Sequence, residues 1–357
     1  LVNGLIGSYN RFVSRAPWAQ VWWDDIKNPQ DKDVKFDKDW YWTNFVLHPY
    51  QGGLYYLAAR NSNLNLYESF FYTAAGSLIW EYGFETNSPS TNDFYYTMVG
   101  GVITGEMLYR LSLEAQGRNK TVLSFLANPD RLFTDPILRQ RPQGPTGILQ
   151  ELSIRTGMGM AFANTWTKDP YDNLFELFPF NGNLELTAKY GDPYGHDSNT
   201  PYSQFFFEFG GGAGSGSGEG VEDWETKLMY DVHIFSDGML FARAPDLGED
   251  RDTTVGMVME YDFVWNSFME FSSIAPGFAF KQRINRDDGW LAYQLRLSAV
   301  GMGTSDFYYL RRDVFPKPDG TYRDYGYTTG GELVAKLAAA KIDGIRFDWT
   351  VHNYLFW

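Results

Sequence analysis

From about residue 172 to the end of the chain, apolar and polar side chains trade places at every second position. No other feature constrains the fold as tightly. Leu184, Leu186, Ala188 and Tyr190 alternate with Glu185, Thr187 and Lys189. Leu228, Tyr230, Val232 and Ile234 alternate with Met229, Asp231 and His233, and Val255, Met257, Met259, Tyr261 and Phe263 with Thr254, Gly256, Val258, Glu260 and Asp262. Leu291, Tyr293, Leu295, Leu297 and Ala299 are interleaved with Ala292, Gln294, Arg296 and Ser298. Ile345, Phe347, Trp349 and Val351 are interleaved in the same way with Arg346, Asp348, Thr350 and His352. A period of two places each set on its own face of a strand, so these segments read as strands with one apolar and one polar face.

Two environments accept such strands. A soluble sandwich or small barrel turns the apolar face inward, whereas a transmembrane barrel turns it to lipid and keeps a polar lumen. Length favours the second, because several runs reach the roughly 9 to 11 residues that cross a bilayer with tilt, and soluble strands average about 5 or 6. Tight-turn signals stand at Ser236-Asp237-Gly238, Asn266-Ser267, Arg286-Asp287-Asp288-Gly289 and Ile342-Asp343-Gly344, with longer polar connections at residues 191–200 and 311–323 in imperfect alternation. Short turns on one side and long loops on the other are the habit of outer-membrane barrels. The expectation is a transmembrane antiparallel β-barrel of roughly 8 to 12 strands, with Asp231, His233, Glu260, Asp262, Arg296, Arg346, Asp348 and His352 facing the lumen, and Arg243 on the same wall. The sequence finishes Tyr354-Leu-Phe-Trp357, an aromatic finish that suits a barrel-closing strand and equally a cut within a longer protein.

Composition fits that reading and excludes others. Aromatic residues make up 18% of the 357 residues, with 12 Trp, 24 Tyr and 28 Phe. Amphipathic rings in that number suit two interfacial girdles, or a sugar-binding surface. Cysteine is absent, which removes disulfides, thiolate metal sites and thiol nucleophiles. A net charge of −14 argues against nucleic-acid binding. No run of about 18 to 20 uncharged apolar residues is present; the nearest, 94–111, is broken by Glu106 and Arg110. The chain opens on Leu1 without a signal peptide, so a secretory signal is expected in the encoded precursor.

The first half reads differently. Asn65 with Glu68 three positions later has the form of a capping box, and Leu66, Phe70, Thr73, Ser77 and Trp80 recur at helical spacing, so a helix is expected over 65–82. A second is expected over 93–114, with Gly100, Gly101 and Gly105 allowing close approach of the first helix at Ala74-Ala75-Gly76. The breaker-rich Arg139-Gln-Arg-Pro-Gln-Gly-Pro-Thr146 marks the boundary: residues 1–146 form a helical, aromatic-rich plug or cap segment and 147–357 the outer-membrane barrel.

Ordered blocks in the first half carry a resemblance. They are Asn44-Phe-Val-Leu-His-Pro-Tyr-Gln-Gly-Gly53 with Tyr55-Tyr56 and Ala58-Ala59-Arg60; Glu68-Ser69 with Gly76-Ser-Leu-Ile-Trp-Glu-Tyr82; and Ser90-Thr-Asn-Asp93 with Gly100-Gly101, Gly105-Glu106 and Tyr109-Arg-Leu-Ser112. Asn128-Pro-Asp-Arg131 is a fourth. Over residues 44–112 the chain resembles a bacterial family catalogued as domain of unknown function 3943. The resemblance implies a Gram-negative envelope protein and no reaction.

Within these blocks His48, Arg60, Glu68, Trp80, Glu81, Asn92, Asp93, Gly101, Gly105, Glu106 and Arg110 are the residues to watch. Glu81 and Asp93 could serve as acid and base with His48 nearby, or cap helices and pair with the arginines, and the second role is the expected one. The four histidines, His48, His196, His233 and His352, show no HxxxH or HExxH spacing, so neither a metal site nor a cofactor is expected. Residues 210–220, rich in glycine but without Gly-Lys-Ser/Thr, read as a flexible loop. Asp24, Asp25, Asp31, Asp33, Asp37 and Asp39 read as a solvated acidic face. The leading expectation is a non-enzymatic outer-membrane protein, either a plugged channel or a structural component of an envelope assembly, with outer-membrane lipid and other envelope proteins as partners. An outer-membrane lipid-modifying hydrolase, using Ser298 or Ser203 beside a histidine, and a soluble periplasmic ligand-binding β-protein are the alternatives.

Overall fold

A computed structural model describes residues 2–27, 32–139, 144, 146–166, 173–217, 228–266, 269–306, 325–341 and 344–357. The chain falls into two compact units, Leu1–Ile148 and Leu149–Trp357.

The first unit is helical: α1 (Val2–Ser8), α2 (Trp23–Lys27), α3 (His48–Asn61), α4 (Leu66–Gly83), α5 (Thr91–Tyr95), α6 (Gly101–Gly117), α7 (Thr121–Ala127) and α8 (Arg131–Leu138). The capping box at the start of α4 is complete: the Asn65 side chain accepts from the Glu68 backbone N–H at 3.0 Å, and Glu68 accepts from the Asn65 N–H at 2.8 Å. The second expected helix is α5 and α6 joined through a π-helical segment at Tyr96–Gly100.

The glycines on it have a different partner from the one expected. A Cβ on Gly52 would lie 1.8 Å from the Thr97 carbonyl oxygen, and one on Gly101 would lie 2.5 Å from the Gly52 carbonyl carbon. Gly105 faces the Tyr56 ring in the same way, while Gly76 of α4 faces Tyr55. Helix α3 therefore receives the glycines of α6, and α4 meets α3 elsewhere on its surface. Two backbones approach so closely only where neither carries a side chain.

The second unit is one antiparallel sheet in which sequence neighbours pair throughout: β1 (Leu149–Trp166), β2 (Asn173–Tyr190), β3 (Phe205–Ser217), β4 (Leu228–Arg243), β5 (Arg251–Asn266), β6 (Glu270–Arg286), β7 (Gly289–Asp306), β8 (Gly326–Lys341) and β9 (Arg346–Phe356). The sheet curls strongly. Lys336 Nζ on β8 lies 4.0 Å from the centre of the Phe206 ring on β3, and the rings of Phe235 on β4 and His352 on β9 are 4.8 Å apart. Strands five places apart in a flat sheet would be about 24 Å apart.

The result is a half-barrel. Among the described residues β1 and β9 do not pair, so the expected closed barrel is an open, curled sheet whose nine described strands fall within the expected range. Two further expectations are corrected. Ser236-Asp237-Gly238 is no turn but the middle of β4, paired with Met259, Glu260 and Tyr261. The glycine-rich run is largely strand, since β3 continues to Ser217 and its glycines pair with β2 and β4. A Cβ at Gly210 would fall 2.2 Å from His233 Nε2, so glycine there leaves room for the imidazole. The Asp287-Asp288 turn joins β6 to β7 as expected, whereas Ser267, residues 311–323, Ile342, Asp343 and Asp31 lie outside the described residues.

Polarity runs the opposite way from a soluble sandwich. On the concave face Arg296 is 2% exposed, and Asp237, Glu260, Asp262, Lys281 and Glu332 are as deeply buried. On the convex face Ile154 is 71% and Leu297 66% exposed, and Leu152, Leu184, Phe278, Leu333, Phe347 and Trp349 are also exposed. Around Ser236, Tyr261 and Phe263 side chains of both faces are buried.

Candidate functional site

In the helical unit most of the watched polar residues gather into two buried groups, while Glu68 stays exposed in the capping box of α4. The first forms where α3, α4 and α5 begin or end. His48, at the start of α3, shares a 3.2 Å hydrogen bond between its Nδ1 and the Thr97 hydroxyl, and its Nε2 lies 3.6 Å from an Asp93 carboxylate oxygen. Asn92 donates to Asp93 at 2.7 Å and to Asp37 at 3.0 Å, and Asn44 donates to Asp37 at 3.1 Å. Asp37 is therefore tied into this group and does not belong to a solvated face. Glu81 accepts from the Ser90 backbone N–H at 3.0 Å, while the Ser90 hydroxyl caps α5 by accepting from the Asp93 N–H. Burial, reinforced by the charges of Asp93 and Glu85, pushes the Glu81 carboxyl up to about 8. Burial also raises Asp93 well above the carboxylate range, with Asp37 adding to the effect. Trp80 donates to Glu85 at 2.6 Å.

The second group is built on Glu106, which is fully buried. Its carboxylate accepts from the Tyr56 hydroxyl at 2.8 Å, Arg60 Nε at 3.0 Å and Arg110 Nε at 2.9 Å. A carboxylate with two guanidinium partners and a phenol is well compensated for its burial, and it joins α3 to α6 next to the glycine contact. Asn61 and Asn128 exchange side-chain hydrogen bonds at 3.1 and 2.9 Å, which ties the fourth sequence block to the first.

The concave face of the sheet holds a denser network. Arg296 donates to Asp237 at 2.5 Å and to Glu260 at 3.0 Å, and Ser298 donates to Glu260 at 2.5 Å. Lys281 and Lys336 stand 3.6 and 4.0 Å from Asp237. The Tyr354 hydroxyl donates to Asp262 at 2.5 Å, and His352 Nδ1 is 3.6 Å from the same carboxylate. Further along, His233 pairs with Asp231 at 2.8 Å and lies 3.7 Å from Glu208. Arg346 pairs with Asp348 at 2.6 Å, and both line a cavity of about 640 Å3 with Glu151, Lys189, Asp237, Lys281 and several aromatic side chains.

Residues 33–137 match the profile of a domain of unknown function (DUF3943). No curated protein matches the chain. The DUF3943 match extends beyond the sequence blocks on both sides and takes in Asp37 and the Asn128–Arg131 segment. Both polar groups of the helical unit lie inside it. The whole sheet network lies outside the DUF3943 match.

Sequence reasoning missed Asp237, Lys281, Glu332 and Lys336. Asp237 was hidden in what reads as a turn. Glu332 and Lys336 sit in β8, whose Ala-Lys-Leu-Ala-Ala-Ala-Lys341 carries little alternation; the one available signal was their own i, i+4 placement on a single strand face. Arg243 donates to Asn199 and stays exposed, and the His196 backbone N–H donates to Thr254 from the connection between β2 and β3. The serines weighed as nucleophiles have other roles or none: Ser298 is bonded to Glu260, and among the described residues no serine hydroxyl is bonded to a histidine.

Proposed function

We propose that the curled sheet is part of the wall of a Gram-negative outer-membrane β-barrel and that the protein is a non-enzymatic envelope component, a plugged channel or a structural element of an envelope assembly. The observation that carries this reading is the inverted polarity of the sheet. Buried arginine, lysine and carboxylates opposite exposed Ile, Leu, Phe and Trp on six strands is costly in water, where contiguous apolar surface associates. The same arrangement is stable when hydrocarbon covers the convex face and the polar side chains satisfy one another inside.

Two outward aromatic pairs support it. Tyr230 and Trp265 pack at a tilt with 4.5 Å between ring centres near one end of β4 and β5, and Phe280 and Tyr293 stack at 5.9 Å near the other end of β6 and β7. Tyr293 is level with Thr253 through Gln282, so the two pairs stand about twelve residues apart along β5. At the 35–45° tilt of barrel strands that is roughly 30 Å, close to the separation of two bilayer interfaces. The ion pairs on the concave face obstruct that side of the wall, which suits a blocked channel or a scaffold better than an open pore.

Fractionation of cells expressing the full precursor tests the reading. Recovery in the outer-membrane fraction, resistance to carbonate extraction and a gel mobility that shifts on boiling are expected. Recovery as a monodisperse species without detergent would overturn it and favour a soluble ligand-binding protein.

A further inference from the structure

Of the four carboxylates buried on the concave face, two are matched by cations and two are not. Asp237 has Arg296, Lys281 and Lys336 within 4.0 Å, and Glu260 has Arg296 and the Ser298 hydroxyl. Asp262 and Glu332 have no Arg or Lys partner at salt-bridge distance among the described residues. They stand beside each other and beside His352, drawn from β5, β8 and β9, and one ligand-capable atom from each of the three lies within 4.8 Å of the other two. Glu332 is 2% exposed; one of its oxygens accepts a long 3.4 Å bond from Ser273, the other, Oε1, receives no N–H or O–H donor, and the carboxyl group is within hydrogen-bond reach of Asp262.

A buried carboxylate oxygen without a donor is costly, and two adjacent carboxylates with no cation are costlier. A proton shared between them removes one charge. A divalent cation removes both and also gives Oε1 a partner.

The geometry points to a metal site, and we propose that Asp262, Glu332 and His352 bind a divalent first-row transition-metal ion on the concave face of the sheet. Atoms bound to one such ion at about 2.1 Å sit roughly 3 to 4.2 Å from one another, so the trio needs to contract only slightly. The donor set selects the class of ion. Two hard oxygens with one imidazole nitrogen suit Zn2+, Mn2+ or Fe2+. Ca2+ and Mg2+ prefer an all-oxygen shell, and copper(I) prefers thiolates, of which the chain has none. The Tyr354 hydroxyl, bonded to Asp262 and 3.2 Å from His352 Nδ1, fixes both ligands in orientation. By joining β5 to β8 and β9 across the concavity, the ion would act as a clasp on the curl of the sheet. The inference does not depend on the membrane reading, because these contacts lie within the sheet whatever covers its outer face.

The test uses the full chain, stripped with a chelator, loaded separately with Zn2+ and Mn2+, and analysed for metal after removal of excess. About one equivalent of at least one ion is expected, with affinity lower by at least about 10-fold in Glu332→Gln and in His352→Ala. Asp348→Asn, which alters an exposed carboxylate on the same face of β9, should bind as the parent does. The half-buried His352 is the milder replacement, so its variant decides the matter if Glu332→Gln does not fold. A parent protein holding less than about a tenth of an equivalent of either ion, or His352→Ala binding as tightly as the parent, would overturn the site and leave a shared proton as the means by which the two carboxylates coexist.

Discussion

Glu81 and Glu106 are both buried carboxylates of the helical unit, and their surroundings treat them in opposite ways. Glu106 has two guanidinium groups and a phenol. Glu81 has one backbone N–H and two acidic neighbours, which together with burial hold it protonated up to about pH 8. Between the ordinary glutamate range and pH 8 the folded state binds a proton that the unfolded chain has already lost, so stability is greatest at the acid end and falls as pH rises through that window. The loss is at most about 1.4 kcal/mol per pH unit from this group. Asp130, which burial pushes up to about 7, adds to the same slope. Comparison with Glu81→Gln therefore isolates the Glu81 part. Urea titrations of the full chain in detergent from pH 5 to 9 should show the helical signal of the parent weakening faster with pH than that of the variant. Parallel curves would mean that Glu81 is ionised throughout.

At the scale of elements, the chain was readable where side chains repeat and unreadable where they are missing. The period of two located β2, β4, β5, β7 and β9, and the Asn65/Glu68 box located the start of α4 to the residue. Helix α3 escaped because His48-Pro49-Tyr-Gln-Gly-Gly53 places two glycines in its first turns, where propensity argues against a helix, although Pro49 itself suits a helix start. Those glycines are present for packing. The Gly52–Gly101 contact is also why the expected partner of α6 was wrong, since spacing shows that a helix has a smooth face but not which neighbour uses it. Gly52→Ala should destabilise the helical unit by about 1–3 kcal/mol or more, because its methyl meets backbone on α6 that cannot swing aside. Gly83→Ala, where a Cβ meets nothing within 4 Å, is the control. Equal urea midpoints for the two variants would refute the close crossing. In the sheet, the ion-pair network was only half visible, as the strand periods named Glu260, Asp262 and Arg296 but could not show that Asp237 and Glu332 complete it from a supposed turn and an alanine-rich strand.

At the scale of the whole molecule, the chain joins a helical unit that includes the DUF3943 match to a curled sheet with a buried ion-pair network on its concave face and exposed apolar side chains on the convex face of six strands. Lipid, on the reading proposed above, covers the convex face. The absence of cysteine lets single cysteines be introduced without background, and β7 offers a run in which both faces are well defined. Spin labels placed in turn at 294, 295, 296, 297 and 298 in the reconstituted protein would report collisions with oxygen, which concentrates in lipid, and with a water-soluble nickel chelate. Labels at Leu295 and Leu297 are expected to favour oxygen and those at Gln294, Arg296 and Ser298 to exclude it, with a period of two. Nickel access equal to or greater than oxygen access at Leu295 and Leu297 would place that face in water and contradict the membrane reading.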